Sequence, residues 1–204
     1  MGHRTANDFP IHELLKERWS PRAFAEKPVP PEILRSLFEA ARWAASSFND
    51  QPWAYIIATK NQPEEFSRIV SVLVESNAWA AKAPVLALSL VRLNFHHNGQ
   101  PNRVALHDLG AASASLALEA TSRGLAVHQM AGILGDKARE IFQIPPDWEP
   151  VAALAIGYPG DPATLPDKLR SREAAPRQRK PISAFVMSGR FGRMSPIAAP
   201  REQT

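Results

Sequence analysis

The sequence predicts an α+β fold, or a mixed α/β one, built as one domain with arms. Three observations carry this expectation. Helical and strand-like periodicities alternate along most of the chain, 204 residues suffice for a full hydrophobic core, and the apolar runs at 85–91 and 151–156 have strand length. At roughly 150 residues per domain the length allows one large domain or two small ones. The single-domain reading spans 1–204, with a core at about 11–160 and a wrapping C-terminal arm at about 161–204.

Ile11, Leu14, Leu15 and Trp19 open the chain at helical spacing, and Trp19-Ser20-Pro21 closes that element because the residue before a proline avoids the helical region. Pro28-Val29-Pro30-Pro31 then leads into an amphipathic helix over 32–45, where Leu34, Leu37, Phe38 and Ala41 form one stripe. Residues 53–59 are aromatic and β-branched and read as a strand, while 63–75 return to helical period through Phe66, Ile69, Val70 and Leu73. The continuous apolar run 85–91 reads as a strand covered on both faces.

Leu109, Ala112, Leu116 and Ala120 form a stripe over 107–123, with small residues elsewhere and Gly124 at the usual helix-ending place. This predicts a tightly enclosed central helix. A short strand at 125–128, a short helix at 136–142 and a buried strand at 151–158 follow, closed by Pro159-Gly160-Asp161-Pro162. Residues 164–180 read as extended, lacking a core of their own and wrapping over another part of the protein.

Composition narrows the chemistry. With no cysteine there is no disulfide, cysteine-ligated zinc, iron–sulfur cluster or cysteine nucleophile, so redox chemistry would need a bound cofactor. Hydrophobic residues at 45% and charged residues at 22% suit a folded globular chain. Residues 1–165 hold 15 Lys and Arg against 17 Asp and Glu, whereas 166–204 hold 9 against 3, so the net charge of +4 comes from the C-terminal region. Such a region can meet nucleic acid, an anionic membrane or a phosphorylated ligand. No apolar run approaches the roughly 18 residues of a membrane span, and the first six residues lack an apolar signal region, which predicts a cytoplasmic protein that engages no membrane.

Three polar segments could carry chemistry. Arg18-Trp19-Ser20-Pro21-Arg22 gathers two guanidinium groups and a hydroxyl just after a helix, a donor set suited to an anion with several oxygens. A solvated loop with ordinary surface arginines is the alternative. Ser46-Ser47-Phe48-Asn49-Asp50-Gln51-Pro52-Trp53 offers hydroxyl and amide groups between a helix and a strand, and it also reads as a turn with a helix cap. Gln129-Met130-Ala131-Gly132 follows a short strand, and its glycine would let a backbone approach a ligand closely.

Taken in this order, the segments resemble the FMN-dependent nitroreductase family. The resemblance runs from about 11 to 191. It rests on Arg18-Trp19-Ser20-Pro21-Arg22 with Phe24 and Pro28-Val29, then on the segment 44–53, and then on the helix that starts Asp108-Leu109-Gly110-Ala111-Ala112. It continues with Gly124-Leu125 before 129–132, Gly157-Tyr158-Pro159, and the basic Arg177-Gln178-Arg179-Lys180-Pro181. It implies a central mixed sheet flanked by helices, an extended C-terminal arm and a homodimer with FMN at the subunit interface.

The resemblance also implies roles. Arg18, Arg177 and Arg179 would meet the phosphate, Ser20 the ribityl or ring oxygens, and Arg22 the N1/O2 edge of the ring. Ser46, Ser47 and Asn49 would approach the flavin of the neighbouring subunit. The N–H groups of Ala131 and Gly132, after Gln129 and Met130, would face N5 and O4, and Asn77 the pyrimidine ring. Trp19, also placed at the cofactor, stands where Arg or His is commoner, and Ala45 replaces a usual proline; both bear on substrate shape and phosphate contacts. NADH or NADPH would deliver hydride and leave, and a nitroaromatic, quinone or similar acceptor would follow in a ping-pong cycle with no catalytic side chain.

The histidines do not form a metal motif: adjacent His96 and His97 diverge, and no His-Glu-x-x-His pattern occurs. His128 reads as a pocket-wall residue, and Trp43, Trp53 and Trp79 as core or interface, with Phe48 or Trp79 over a flavin face as the alternative. Two rival functions remain. One is a flavoenzyme of the same fold with other chemistry, such as enone or semialdehyde reduction, dehalogenation or dehydrogenation. The other is a non-enzymatic protein whose basic tail binds nucleic acid, against which 166–180 hold no aromatic residue for base stacking.

Overall fold

The computed structural model describes residues 7–199. The chain divides into two compact units: Arg18–Ala175, and the described residues of Met1–Glu17 together with Pro176–Thr204.

The larger unit is built on a four-stranded sheet of β1 (Trp53–Thr59), β2 (Val85–Arg92), β3 (Ala126–Met130) and β4 (Trp148–Gly157), in the order β1-β2-β4-β3. Every pairing among these strands is antiparallel, which corrects the expectation of a mixed sheet. The reason lies in the connections. Between β1 and β2 the chain forms two helical segments, α3 (Pro63–Ser71) and a 3-10 helix (Glu75–Lys82), and it re-enters the sheet where it left, with Thr59 paired to Val85. A single crossover helix would have made the strands parallel.

Alternation along β2 sorts the core into two layers. Val85 and Ala87 face α2 (Pro31–Arg42) and α4 (Ala105–Ser122), meeting Leu37, Leu116 and Ala120. Leu86 and Leu88 face the opposite side, with Ile69 of α3, Ala80 of the 3-10 helix and Ala138 of α5 (Gly135–Phe142). Helices therefore cover both faces, and β2 is buried along nearly its whole length, as its continuous apolar run predicts. In α2, proline occupies the first turn and Leu34, Leu37 and Ala41 form the buried stripe. Eight residues of α4 are buried, five of them alanine or serine that let it lie close to α2 and the sheet.

Two other expectations change. The helical run 63–75 stops at Ser71, because the backbone then turns to pair with the segment after β3: Leu134 N–H donates to the Val72 carbonyl (2.8 Å) and Val74 N–H to the Gly132 carbonyl (3.2 Å). Residues 164–180 are not extended throughout, since Asp167–Ala174 forms α6 and buries Glu173.

The smaller unit contains α1 (Glu13–Glu17), an isolated bridge between Met187 and Met194, and a bond from Arg177 Nη1 to the Lys16 carbonyl (2.8 Å). Among the described residues no helix is long and apolar enough to cross a membrane.

Candidate functional site

The loop after residue 17 carries Arg18, Ser20 and Arg22, and the larger unit fixes it from two sides. Arg18 Nη1 donates to Ser20 Oγ (3.2 Å), which orients a guanidinium and a hydroxyl together. The carbonyl of Pro21 accepts from His128 Nδ1 on β3 (2.8 Å); a carbonyl only accepts, so the ring hydrogen sits on Nδ1. The N–H of Arg22 donates to both carboxylate oxygens of Glu173 on α6 (2.9 and 3.0 Å), and the N–H of Ala23 to Glu173 Oε1 (3.2 Å).

Glu173 is 3% exposed, so this is a buried carboxylate satisfied by two successive amides. Its second charge partner is the Arg22 guanidinium itself, with Nη1 3.8 Å from Oε2. That guanidinium also lies 5.9 Å from the centre of the Trp79 ring, which packs 4.6 Å from His128 and parallel to Phe24 at 6.5 Å. Burial holds the His128 imidazole below its ordinary pKa; the Arg22 charge adds to this, and the bond to Pro21 and the Glu173 charge oppose it. Arg22, Phe24, Trp79, Leu165 and Leu169 help line a cavity of about 620 Å³, within the usual range for small-molecule sites.

Asn77 and Gly132 come together as well. Asn77 Nδ2 donates to the Gly132 carbonyl (3.0 Å), so that amide nitrogen already serves the protein. A Cβ on Gly132 would fall 2.6 Å from Val74 Cγ2 and 2.7 Å from Asn77 Nδ2, which explains the glycine. Among the described residues the N–H groups of Ala131 and Gly132 find no acceptor in the chain. Gln129 and Met130 belong to β3 and not to the loop after it. Gln129 is exposed, whereas the Met130 side chain is buried in the core, leaving only its backbone for a ligand. Trp19 is half-buried.

The segment between α2 and β1 is strained and anchored. Phe48, Asn49 and Gln51 all have positive φ (52°, 54° and 49°), a conformation that costs most for the aromatic residue. Two buried carboxylates hold it. Asp108 of α4 accepts from Ser47 N–H (3.0 Å), and Asp50 accepts from His96 N–H (2.8 Å) and Arg92 Nη2 (3.3 Å). Ser46 Oγ accepts from Gln51 N–H (3.0 Å), and Asn49 accepts from the Gln51 side chain at its carbonyl (3.0 Å) and Oδ1 (3.1 Å). These contacts leave the Phe48 ring 80% exposed, packed against Phe95 and His97. Arg177 and Arg179 lie in the smaller unit, where Arg179 Nη1 bonds the neighbouring Gln178 carbonyl (2.7 Å).

Sequence reasoning missed the three carboxylates that set this geometry. Glu173 stands among arginines and reads as part of a solvated charge run, and Asp50 and Asp108 sit inside motifs whose other residues draw attention. Only the location of Asp108 in a small-residue helix hinted at burial.

The sequence pattern of the nitroreductase family matches residues 15–158, and the chain belongs to that family, whose members are flavin oxidoreductases. It is similar to a crystal structure of an oxidoreductase containing FMN, at 37% identity and a TM-score of 0.87, with 93% of this chain and 96% of that one covered. It is 35% identical over 129 residues to an uncharacterized 15.4 kDa protein of Mycolicibacterium smegmatis, covering 63% of this chain and 86% of that one. It is 28% identical over 170 residues to FMN reductase [NAD(P)H] of Bacillus subtilis strain 168, covering 72% of this chain and 65% of the relative.

Proposed function

We propose that the protein is an FMN-dependent oxidoreductase that takes hydride from NADH or NADPH and passes electrons to a small-molecule acceptor such as a nitroaromatic or quinone. The observation that carries this reading is the loop of Arg18, Ser20 and Arg22, fixed by Glu173 and by His128 of β3, together with the acceptor-less N–H groups of Ala131 and Gly132 just after that strand. Those donors fit the group. A guanidinium paired with a hydroxyl suits phosphate or ribityl oxygens, and two N–H groups without an acceptor suit a ring edge made of acceptors. The FMN-containing relative of similar length supports it further.

When bound, FMN supplies reversible hydride transfer at N5. The chain's own residues bind and orient. Arg18 would hold the phosphate, Ser20 the ribityl or ring oxygens, and Arg22 the N1/O2 edge. Ala131 and Gly132 would donate to N5 and O4, with Asn77 keeping their loop in register through its bond to the Gly132 carbonyl. Ser46, Ser47 and Asn49 would serve the flavin of a second copy. The apolar cavity beside Arg22 gives room for a small planar acceptor.

The test is the cofactor and its two half-reactions. Purified protein should show a flavin spectrum and release FMN, not FAD, on heating. NAD(P)H should bleach it anaerobically, and a nitroaromatic or quinone should restore the colour, giving parallel lines in double-reciprocal plots. A colourless protein that takes up no FMN from excess would overturn the reading.

A further inference from the structure

We infer that Glu173 is a positioning residue that sets how much of the Arg22 charge reaches a bound flavin. The inference rests on the flavin reading above and deepens it. The Glu173 side chain is 1% exposed, and it binds Arg22 twice, once through the backbone and once through the guanidinium. One of its oxygens reaches both amides. Oε1 accepts both the Arg22 N–H (2.9 Å) and the Ala23 N–H (3.2 Å), while Oε2 faces the guanidinium at 3.8 Å and shares the Arg22 N–H at 3.0 Å.

One oxygen is therefore enough to hold the loop, and the carboxylate's charge does something else. A negative charge beside the guanidinium cancels part of its field, and in a partly buried setting that cancellation is weakly screened. The other groups against Arg22 do not replace it, since Trp79 is uncharged and burial favours the neutral form of His128. An anionic reduced flavin with its N1/O2 edge at Arg22 would meet an ion pair instead of a lone cation. Glu173 thus disfavours the reduced form relative to the oxidised one and holds the potential down, while its amide bonds keep Arg22 in place.

Glu173→Gln tests this because the charge disappears while the side-chain oxygen keeps a bond from each amide, at the loss of the second bond that Oε2 accepts from the Arg22 N–H. The protein should fold and bind oxidised FMN nearly as well as wild type. It should bind reduced FMN about tenfold more tightly relative to oxidised, which for a two-electron couple is a potential about 30 mV higher. Arg22→Ala should move the potential in the opposite direction. A purely structural Glu173 predicts loss of FMN affinity or of thermal stability with an unmoved potential. An unchanged or lowered potential in Glu173→Gln would overturn the inference, and so would a variant that fails to fold, since the charge would then be holding the loop. Wild-type protein that takes up no FMN would instead overturn the flavin reading, and the inference with it.

Discussion

Arg22 and His128 show how single residues acquire meaning from what surrounds them. Removing the Arg22 guanidinium takes a cation from the edge where reduction places negative charge. If a charge-assisted hydrogen bond contributes about 1.5–3 kcal/mol, Arg22→Ala should lower the bound-flavin potential by about 30–60 mV. Glu173 already cancels part of that charge, so the lower end is expected. Arg18→Ala should weaken FMN binding and leave the potential nearly unmoved; potentiometric titration of both loaded variants separates the two roles. His128 makes a pH prediction. Its folded-state pKa lies below the ordinary 6.5, so the unfolded chain binds the proton more readily. Stability is therefore fully present above about pH 6.5 and is lost as pH falls toward the lowered value. His128→Asn keeps a donor for the Pro21 carbonyl and cannot titrate, so its melting temperature should fall less steeply below pH 6.5 than that of wild type in calorimetry. At this scale the sequence displays the arginines, because two cations and a hydroxyl within five residues are unusual. Glu173 stays hidden, because its contact partners lie 150 and 151 residues away.

Elements were legible where their own periodicity decides them. The stripe of Leu34, Leu37 and Ala41 and the small-residue face of α4 each bury as their spacing predicts. Legibility fails where another element decides: α3 stops early because residues 72–74 pair with the loop after β3, and strand direction is invisible to a period of two. Likewise α6 has a weak apolar stripe, with Leu169 half-buried and Glu173 as its buried residue. The turn after β4 gives a test at this scale. Gly160 N–H donates to the Ala23 carbonyl (2.9 Å), and a Cβ there would lie 2.5 Å from the Phe24 carbonyl carbon and 2.8 Å from the Ala25 nitrogen. Those are backbone atoms that cannot rotate away. Gly160→Ala should cost about 1–3 kcal/mol, lowering the melting temperature by roughly 2–4 °C for each kcal/mol, and it should disturb the Arg22 loop with it. A melting curve identical to that of wild type would show that the turn relaxes freely.

At the scale of the whole molecule, the unexplained surface is apolar. Trp43 is 75% exposed, Phe48 80% and Leu106 59%, and Phe48 is held outward by a backbone that an aromatic residue adopts at a cost. Strain of about 1–3 kcal/mol persists where surrounding structure enforces it, and here Asp108 of α4 does so at Ser47, and Arg92 and the His96 N–H do so through Asp50. An outward ring on an enforced backbone, packed on one side against Phe95 and His97, suits a partner outside the chain. A second copy is the partner consistent with the proposed role of Ser46, Ser47 and Asn49 at a neighbouring flavin. The protein should be an obligate homodimer, of the kind that commonly buries more than about 2,000 Å², and should lose flavin as it dissociates. Phe48→Asp isolates the ring from the loop, because aspartate tolerates positive φ better than phenylalanine and should leave the backbone intact. Loss of a central aromatic anchor is worth about 2 kcal/mol or more, so the dissociation constant should rise roughly 30-fold or beyond. Light scattering across a dilution series, read beside flavin absorbance, measures both. Wild-type protein that is monomeric at micromolar concentration yet keeps its flavin and activity would remove the second copy from the site, and the strain at Phe48 would then need another cause.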